Sequence, residues 1–178
     1  MIYFSSDQHF FHYNVIWMCK RPFADLDEMH SALINNWNSV VEEADDIYIL
    51  GDFSFKGSGA QVNEVLQQLK GKKYLIKGNH ERYLSDKDFD DSVFEWIKDY
   101  DVINYKDARF ILFHYPILEW AHYHRKSIHL YGHIHNNTSH VVEDNARLSV
   151  LGLRAINVGV DSNNFFPISV EEIYNRVY

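Results

Sequence analysis

Residues 46–52 read Asp46-Ile47-Tyr48-Ile49-Leu50-Gly51-Asp52. A short apolar run rich in β-branched and aromatic residues, cut off by Gly-Asp, predicts a buried strand that stops at a turn. Helical periodicity lies on both sides of it. Over residues 26–43, Leu26, Met29, Leu33, Ile34, Trp37, Val40 and Val41 recur at three- and four-residue steps. Beyond the strand, Val62, Val65, Leu66 and Leu69 form one helical face, and Gly71 closes it. Further out, Ile2-Tyr3-Phe4 and Tyr74-Leu75-Ile76 predict two more strands. The order strand, helix, strand, helix, strand predicts an α/β layered fold with parallel strands.

The second half is richer in strands. Residues 101–105, 110–114, 128–131, 148–150 and 155–158 read as strands with fewer helices between them, and Ser169-Val170-Glu171-Glu172 has the spacing that opens a final helix. The expected architecture is a four-layer α/β/β/α sandwich, with two mixed sheets packed together and helices outside. One domain spanning residues 1–178 accommodates it, because no repeat or linker interrupts the chain.

Composition narrows the class. Hydrophobic residues make up 46% of 178 and aromatics 16%, which excludes a disordered tail. No apolar stretch approaches the ~20 residues of a membrane helix, and MIYFSSDQHF lacks the features of a signal peptide, so no membrane association is expected. Cys19 is the only cysteine. A reducing, cytoplasmic setting is therefore expected, with Cys19 as a small buried residue. The formal net charge of −8 opposes strong nonspecific binding to nucleic acid but leaves phosphate esters open as substrates if cations supply positive charge.

Polar residues gather where the strands end. Asp7-Gln8-His9, Gly51-Asp52, Gly78-Asn79-His80, His114 and Gly132-His133-Ile134-His135 each follow a hydrophobic run. Ligands of open α/β sheets collect beyond the carboxyl ends of strands, so Asp7, His9, Asp52, Asn79, His114, His133 and His135 are expected to converge. This mixture of carboxylate, imidazole and amide suits Mn²⁺ foremost, with Fe, Zn, Ni or Co as further candidates. Seven donors exceed one four-coordinate ion and suit two ions sharing a carboxylate. His133 and His135, two apart, can face the same way and supply one imidazole to each.

The five blocks together resemble the calcineurin-like metallophosphoesterase superfamily, in its small single-domain form found in bacteria and phages. That family runs Asp-x-His, Gly-Asp, Gly-Asn-His-Asp/Glu, a lone His, then Gly-His-x-His, and the same order holds here from residue 7 to 135. The resemblance implies one divalent metal held by Asp7, His9, Asp52 and His135. A second would be held by Asp52, Asn79, His114 and His133, with Asp52 bridging. His80 would be the non-ligand catalytic histidine beside the scissile phosphate. The implied activity is hydrolysis of a phosphodiester by a metal-bridging hydroxide. Alternatives are a phosphomonoesterase, a nucleotide pyrophosphohydrolase, or a non-catalytic metal-binding interaction module.

Gly51-Asp52 continues as Phe53-Ser54-Phe55, where the protein serine/threonine phosphatases of this family have Val-Asp-Arg-Gly. The arginine that would grip a phosphomonoester is missing there. His12, Arg21 and Arg82 are candidate substrate contacts, because loops beyond strands carry such groups. His30 is expected on an exposed helix face, and Trp17, Phe23, Trp37 and Trp96 in the core. His122, His124, His129 and His140 match no block and are expected to be solvated or packed. Asn157-Val158-Gly159-Val160-Asp161 is expected to be structural.

Overall fold

Alternation along the second strand separates the two faces of the first sheet. In a computed structural model, which describes residues 1–135 and 141–178, β1 (Ile2–Ser5), β2 (Asp46–Ile49), β3 (Lys72–Ile76) and β4 (Phe94–Lys98) are parallel neighbours. The connections carry α1 (Tyr13–Met18), α2 (Leu26–Val40) and α3 (Gly59–Gln68). Ile47 and Ile49 point to one face with Met29, Leu33, Trp37, Val62 and Leu66. Tyr48 and Leu50 point to the other. A period of two thus lines one face with helices and frees the opposite face for a second sheet.

That second sheet has β5 (Tyr100–Tyr105) antiparallel to β6 (Ala108–Phe113), then β7 (Ser127–Tyr131) and β8 (Ala155–Asn157) parallel to β6. Phe110, Leu112, Ile128 and Leu130 pack against Phe4, Leu50 and Ile76 of the first sheet. Burial of each such side chain stabilises by about 1.5–3 kcal/mol. Between β7 and β8 the chain forms α4 (Val141–Leu148). β9 (Ile168–Ser169) returns antiparallel to β1, and α5 (Val170–Val177) follows, with Ser169 accepting from the Glu172 amide at 3.1 Å. Among the described residues the sheet orders are β4-β3-β2-β1-β9 and β5-β6-β7-β8. Both sheets are mixed and helices flank them, as expected.

Local expectations differ in four places. Residues 148–150, expected as a strand, close α4 and enter a 3₁₀ turn, Ser149–Leu151. Three residues of alternation cannot separate a strand from the end of an amphipathic helix. Trp17, expected in the core, is 65% exposed, because the short α1 turns Val15 inward instead. His30 is half-buried, its ring against Phe10 and Phe11, and accepts from the Phe11 amide at 2.9 Å. The helix expected to run to residue 43 ends at Val40, where Val41 turns extended. His140 lies outside the described residues.

Candidate metal centre

The polar blocks sit at the carboxyl ends of β1, β2, β3, β6 and β7, and hydrogen bonds lace these ends together. The amides of Asp7, His9 and Phe10 donate to the carbonyls of Gly51, Asp52 and Phe53. Gly132 donates its amide to the His114 carbonyl, joining β6 to β7. Two glycines permit this closeness. Gly51 has φ +89°, and a Cβ there would stand 2.5 Å from His114 Nδ1. At Gly132 a Cβ would meet Ser6 Oγ at 2.0 Å and Asp7 Oδ2 at 2.3 Å. Asp7, His9, Asp52 and His133 themselves adopt left-handed backbone, φ 54–67°. Side chains other than glycine accept that conformation only where the surroundings enforce it.

Among the described residues three donor clusters result, two of them made by residues named from the sequence; the third, Cys19 with Asp161, shares His135 with the first. Asp7, His9 and His135 bring one ligating atom each to within 4.8 Å of the others, and Asp52, His114 and His133 do the same. Asp52 joins these two clusters. Its Oδ2 lies 3.7 Å from His9 Nε2 and 3.5 Å from His114 Nε2, while Oδ1 accepts from the amides of Asn79 and His80 at 2.9 and 3.0 Å. Asn79 Oδ1 stands 3.2 Å from His114 Nε2, at the open side of the second cluster. The seven residues named from the sequence are thus gathered at one place.

The donor chemistry fits cations. His114 Nδ1 donates to the Leu50 carbonyl at 2.7 Å, and His135 Nδ1 donates to Asp161 Oδ2 at 2.7 Å. Both arrangements leave Nε2 facing the cluster, which is how metal-binding imidazoles are oriented. Nε2 of His9 and Nε2 of His135 face each other at 3.1 Å. Two imidazoles so placed need a proton or a cation between them. Burial works against charge on His135, but Asp161, Cys19 and Asp7 outweigh it and raise its pKa to about 10. Burial and the neighbouring His135 hold His9 well below the usual range. His114 rises to about 9: burial opposes this, and Asp52 and Asp7 prevail. Each cluster therefore draws in positive charge, and a divalent cation would displace those protons.

Around the mouth, His80 keeps 29% of its side chain exposed, with Nε2 3.9 Å from Asp52 Oδ2. Phe55 meets the His80 ring edge-on and stacks on His12, whose Nδ1 is 3.3 Å from His9 Nδ1. Arg82 is exposed and lines a cleft with Lys77 and Asn79. Arg21 is placed differently from the expected substrate contact: it is buried behind the first cluster and paired with Asp161. His122 and His124 are exposed, His122 against Arg109. His129 is fully buried beside Trp120 and Tyr131.

Two residues at the site carry roles that sequence reading did not give them. Glu81 accepts from the Phe53 amide at 3.0 Å and the Gly78 amide at 2.7 Å, stapling the β2 loop to the β3 loop. Burial and the charge of Asp52 raise its pKa to about 7. Asp161 touches His135. Its signal was available: Gly159-Val160-Asp161 follows β8 as Gly51-Asp52 follows β2.

A calcineurin-like phosphoesterase superfamily domain matches residues 2–164. The chain belongs to that superfamily. Its members are metal-dependent phosphoesterases, and the gathered donors of this calcineurin-like domain agree with such chemistry. An uncharacterized protein of the archaeon Methanocaldococcus jannaschii is 33% identical over 178 residues, covering 99% of this chain and 90% of that protein. The Gene 66 protein of Mycobacterium phage L5 is 37% identical over 82 residues, covering 44% of this chain and 39% of that protein. The solved structure of a protein of unknown function from Aquifex aeolicus superposes with a TM-score of 0.71 at 29% identity, covering 98% of both chains. Among the described residues no helix is long and apolar enough to cross a membrane.

Proposed function

We propose that this calcineurin-like domain is a dinuclear phosphodiesterase. Asp7, His9, Asp52 and His135 would hold one divalent cation, and Asp52, Asn79, His114 and His133 the other. The observation that carries this reading is the position of Asp52 Oδ2, within 4 Å of an imidazole from each cluster. The bound cations would activate water near neutral pH and offset the charge of the phosphoryl oxygens. Mn²⁺ suits the mixed oxygen and nitrogen donors.

The chain's own groups divide the remaining work. Asp7 and Asp52 bring negative charge to a site otherwise lined by imidazoles and the Asn79 amide. His80, at the mouth, protonates the leaving oxygen from Nε2, because a departing alkoxide needs that proton. Phe55 holds the His80 ring at its edge. Arg82 contacts the part of the substrate that extends past Asn79. Preference for a diester rests on the absence of an arginine directly after Gly51-Asp52, where Phe53 and Ser54 stand instead and are buried.

Hydrolysis of bis-p-nitrophenyl phosphate against p-nitrophenyl phosphate, each with Mn²⁺, tests the proposal. The diester is expected to have the higher kcat/KM. A higher value for the monoester would move the reading to a phosphomonoesterase. Turnover of neither, with cation demonstrably bound, would favour a metal-binding module without catalysis. His80→Ala is expected to retain cations and lose about 10²–10⁴-fold in turnover. Loss of cation in that variant would contradict its assigned role.

A further inference from the structure

We infer that Asp161 and Arg21 are positioning residues for the first cluster, holding His135 with its Nε2 turned towards Asp7 and His9 and pinning the loop that carries those two donors. The inference rests on the two-cation reading above. Asp161 Oδ2 receives His135 Nδ1–H at 2.7 Å. The same carboxylate is gripped by Arg21 through both oxygens, Nε to Oδ1 at 2.8 Å and Nη2 to Oδ2 at 2.9 Å. With Nδ1 so engaged, only Nε2 of His135 has a lone pair to offer.

Arg21 reaches further. Nη2 also donates to the Asp7 carbonyl at 2.7 Å, and Nη1 donates to the Gln8 carbonyl at 2.8 Å and approaches Met29 Sδ at 3.5 Å. Every one of its five N–H donors is thereby engaged inside the protein. The peptide it holds is the left-handed stretch that sets Asp7 and His9 at φ 59° and 54°. One guanidinium therefore links three parts of the chain: the β1 loop, the carboxylate after β8, and through it the histidine after β7. Its side chain is 0% exposed and that of Asp161 4%, so neither can reach substrate.

The second cluster is supported more weakly. His114 has the neutral Leu50 carbonyl behind Nδ1 where His135 has an ionised, arginine-braced carboxylate. An anionic partner makes the imidazole a stronger donor to a cation, and removing such a partner typically lowers metal affinity about 10–100-fold. The two sites are therefore unequal, with the first bound more tightly because of Asp161.

Equilibrium dialysis of Mn²⁺ against the full chain tests this, with circular dichroism to confirm folding. Two variants are used. Asp161→Asn keeps the shape and removes the charge. The double variant Arg21→Met with Asp161→Leu removes the ion pair together, so no buried charge is stranded. Wild type is expected to bind two equivalents. In both variants one equivalent is expected to keep its affinity while the other weakens about 10–100-fold. Unchanged binding of both equivalents would overturn the inference and leave the two-cation reading standing. Equal weakening of both would overturn it too, because a general loosening of the fold would then explain the loss. A wild-type chain that binds no Mn²⁺ would remove the reading and the inference together.

Discussion

Asp52 does two things with its two oxygens. Oδ1 ties down the amides of Asn79 and His80, and Oδ2 faces the imidazoles of both clusters. Burial opposes its ionisation, but His114, His80 and the backbone amides hold its pKa below the usual carboxylate range. Asp52→Asn keeps the hydrogen-bonded shape and removes the shared charge. Turnover of bis-p-nitrophenyl phosphate is expected to fall beyond the ~10–100-fold typical of losing a supporting partner, with an unchanged circular dichroism spectrum. Activity near wild type would remove the bridging role. Gly132→Ala tests the close approach of β7 to β1: a Cβ only 2.0 Å from Ser6 Oγ and 2.3 Å from Asp7 Oδ2 must displace those buried side chains. A loss of about 1–3 kcal/mol in denaturant unfolding is expected, together with weaker Mn²⁺ binding. The ligand residues were legible because each follows a strand and they recur in a fixed order. The pairing of Arg21 with Asp161 was not, although a Gly-Val-Asp run marks Asp161, because the partnership spans 140 residues and exists only after folding.

At the scale of elements, local chemistry and packing agree best in the two long helices. Ser58 caps α3 by accepting from the Gln61 amide at 3.3 Å, and Gln61 Oε1 accepts from the Ser58 amide at 3.0 Å. Ser58→Ala is expected to cost about 1 kcal/mol, or about 2–4 °C in Tm for a chain of this size, without changing turnover. A change in kcat would mean that α3 reports to the site. The apolar stripes of α2 and α3 made them readable, as did the buried runs of β2, β6 and β7. Weakly patterned elements escaped. β4 is an edge strand with two exposed residues, Glu95 and Lys98, and β9 is two residues long. Neither carries enough periodicity to stand out from a loop. The end of α4 has the same weakness, three residues that alternate like a strand but close a helix.

The whole molecule is two sheets that close on a shared core and open at one end, where strand-terminal loops from both sheets meet. The sandwich itself was legible, since the first half alternates strands and helices and the second does not. How tightly the loops converge was not, because it depends on tertiary bonds such as those of Glu81 and Arg21. Convergence places buried carboxylates and imidazoles together, so cations that bind only the folded chain should stabilise it. At a hundredfold excess over Kd each site adds about 2.7 kcal/mol. Chelation is accordingly expected to lower Tm by about 5–10 °C for each cation lost. An unchanged Tm, with cation removal verified, would mean the clusters do not bind metal in the folded state. The most direct measurement is anomalous diffraction from crystals grown with Mn²⁺. Two peaks about 3.5–4 Å apart, both in contact with the Asp52 carboxylate, are the predicted result. A single peak, or two peaks with Asp52 touching only one, would contradict the account.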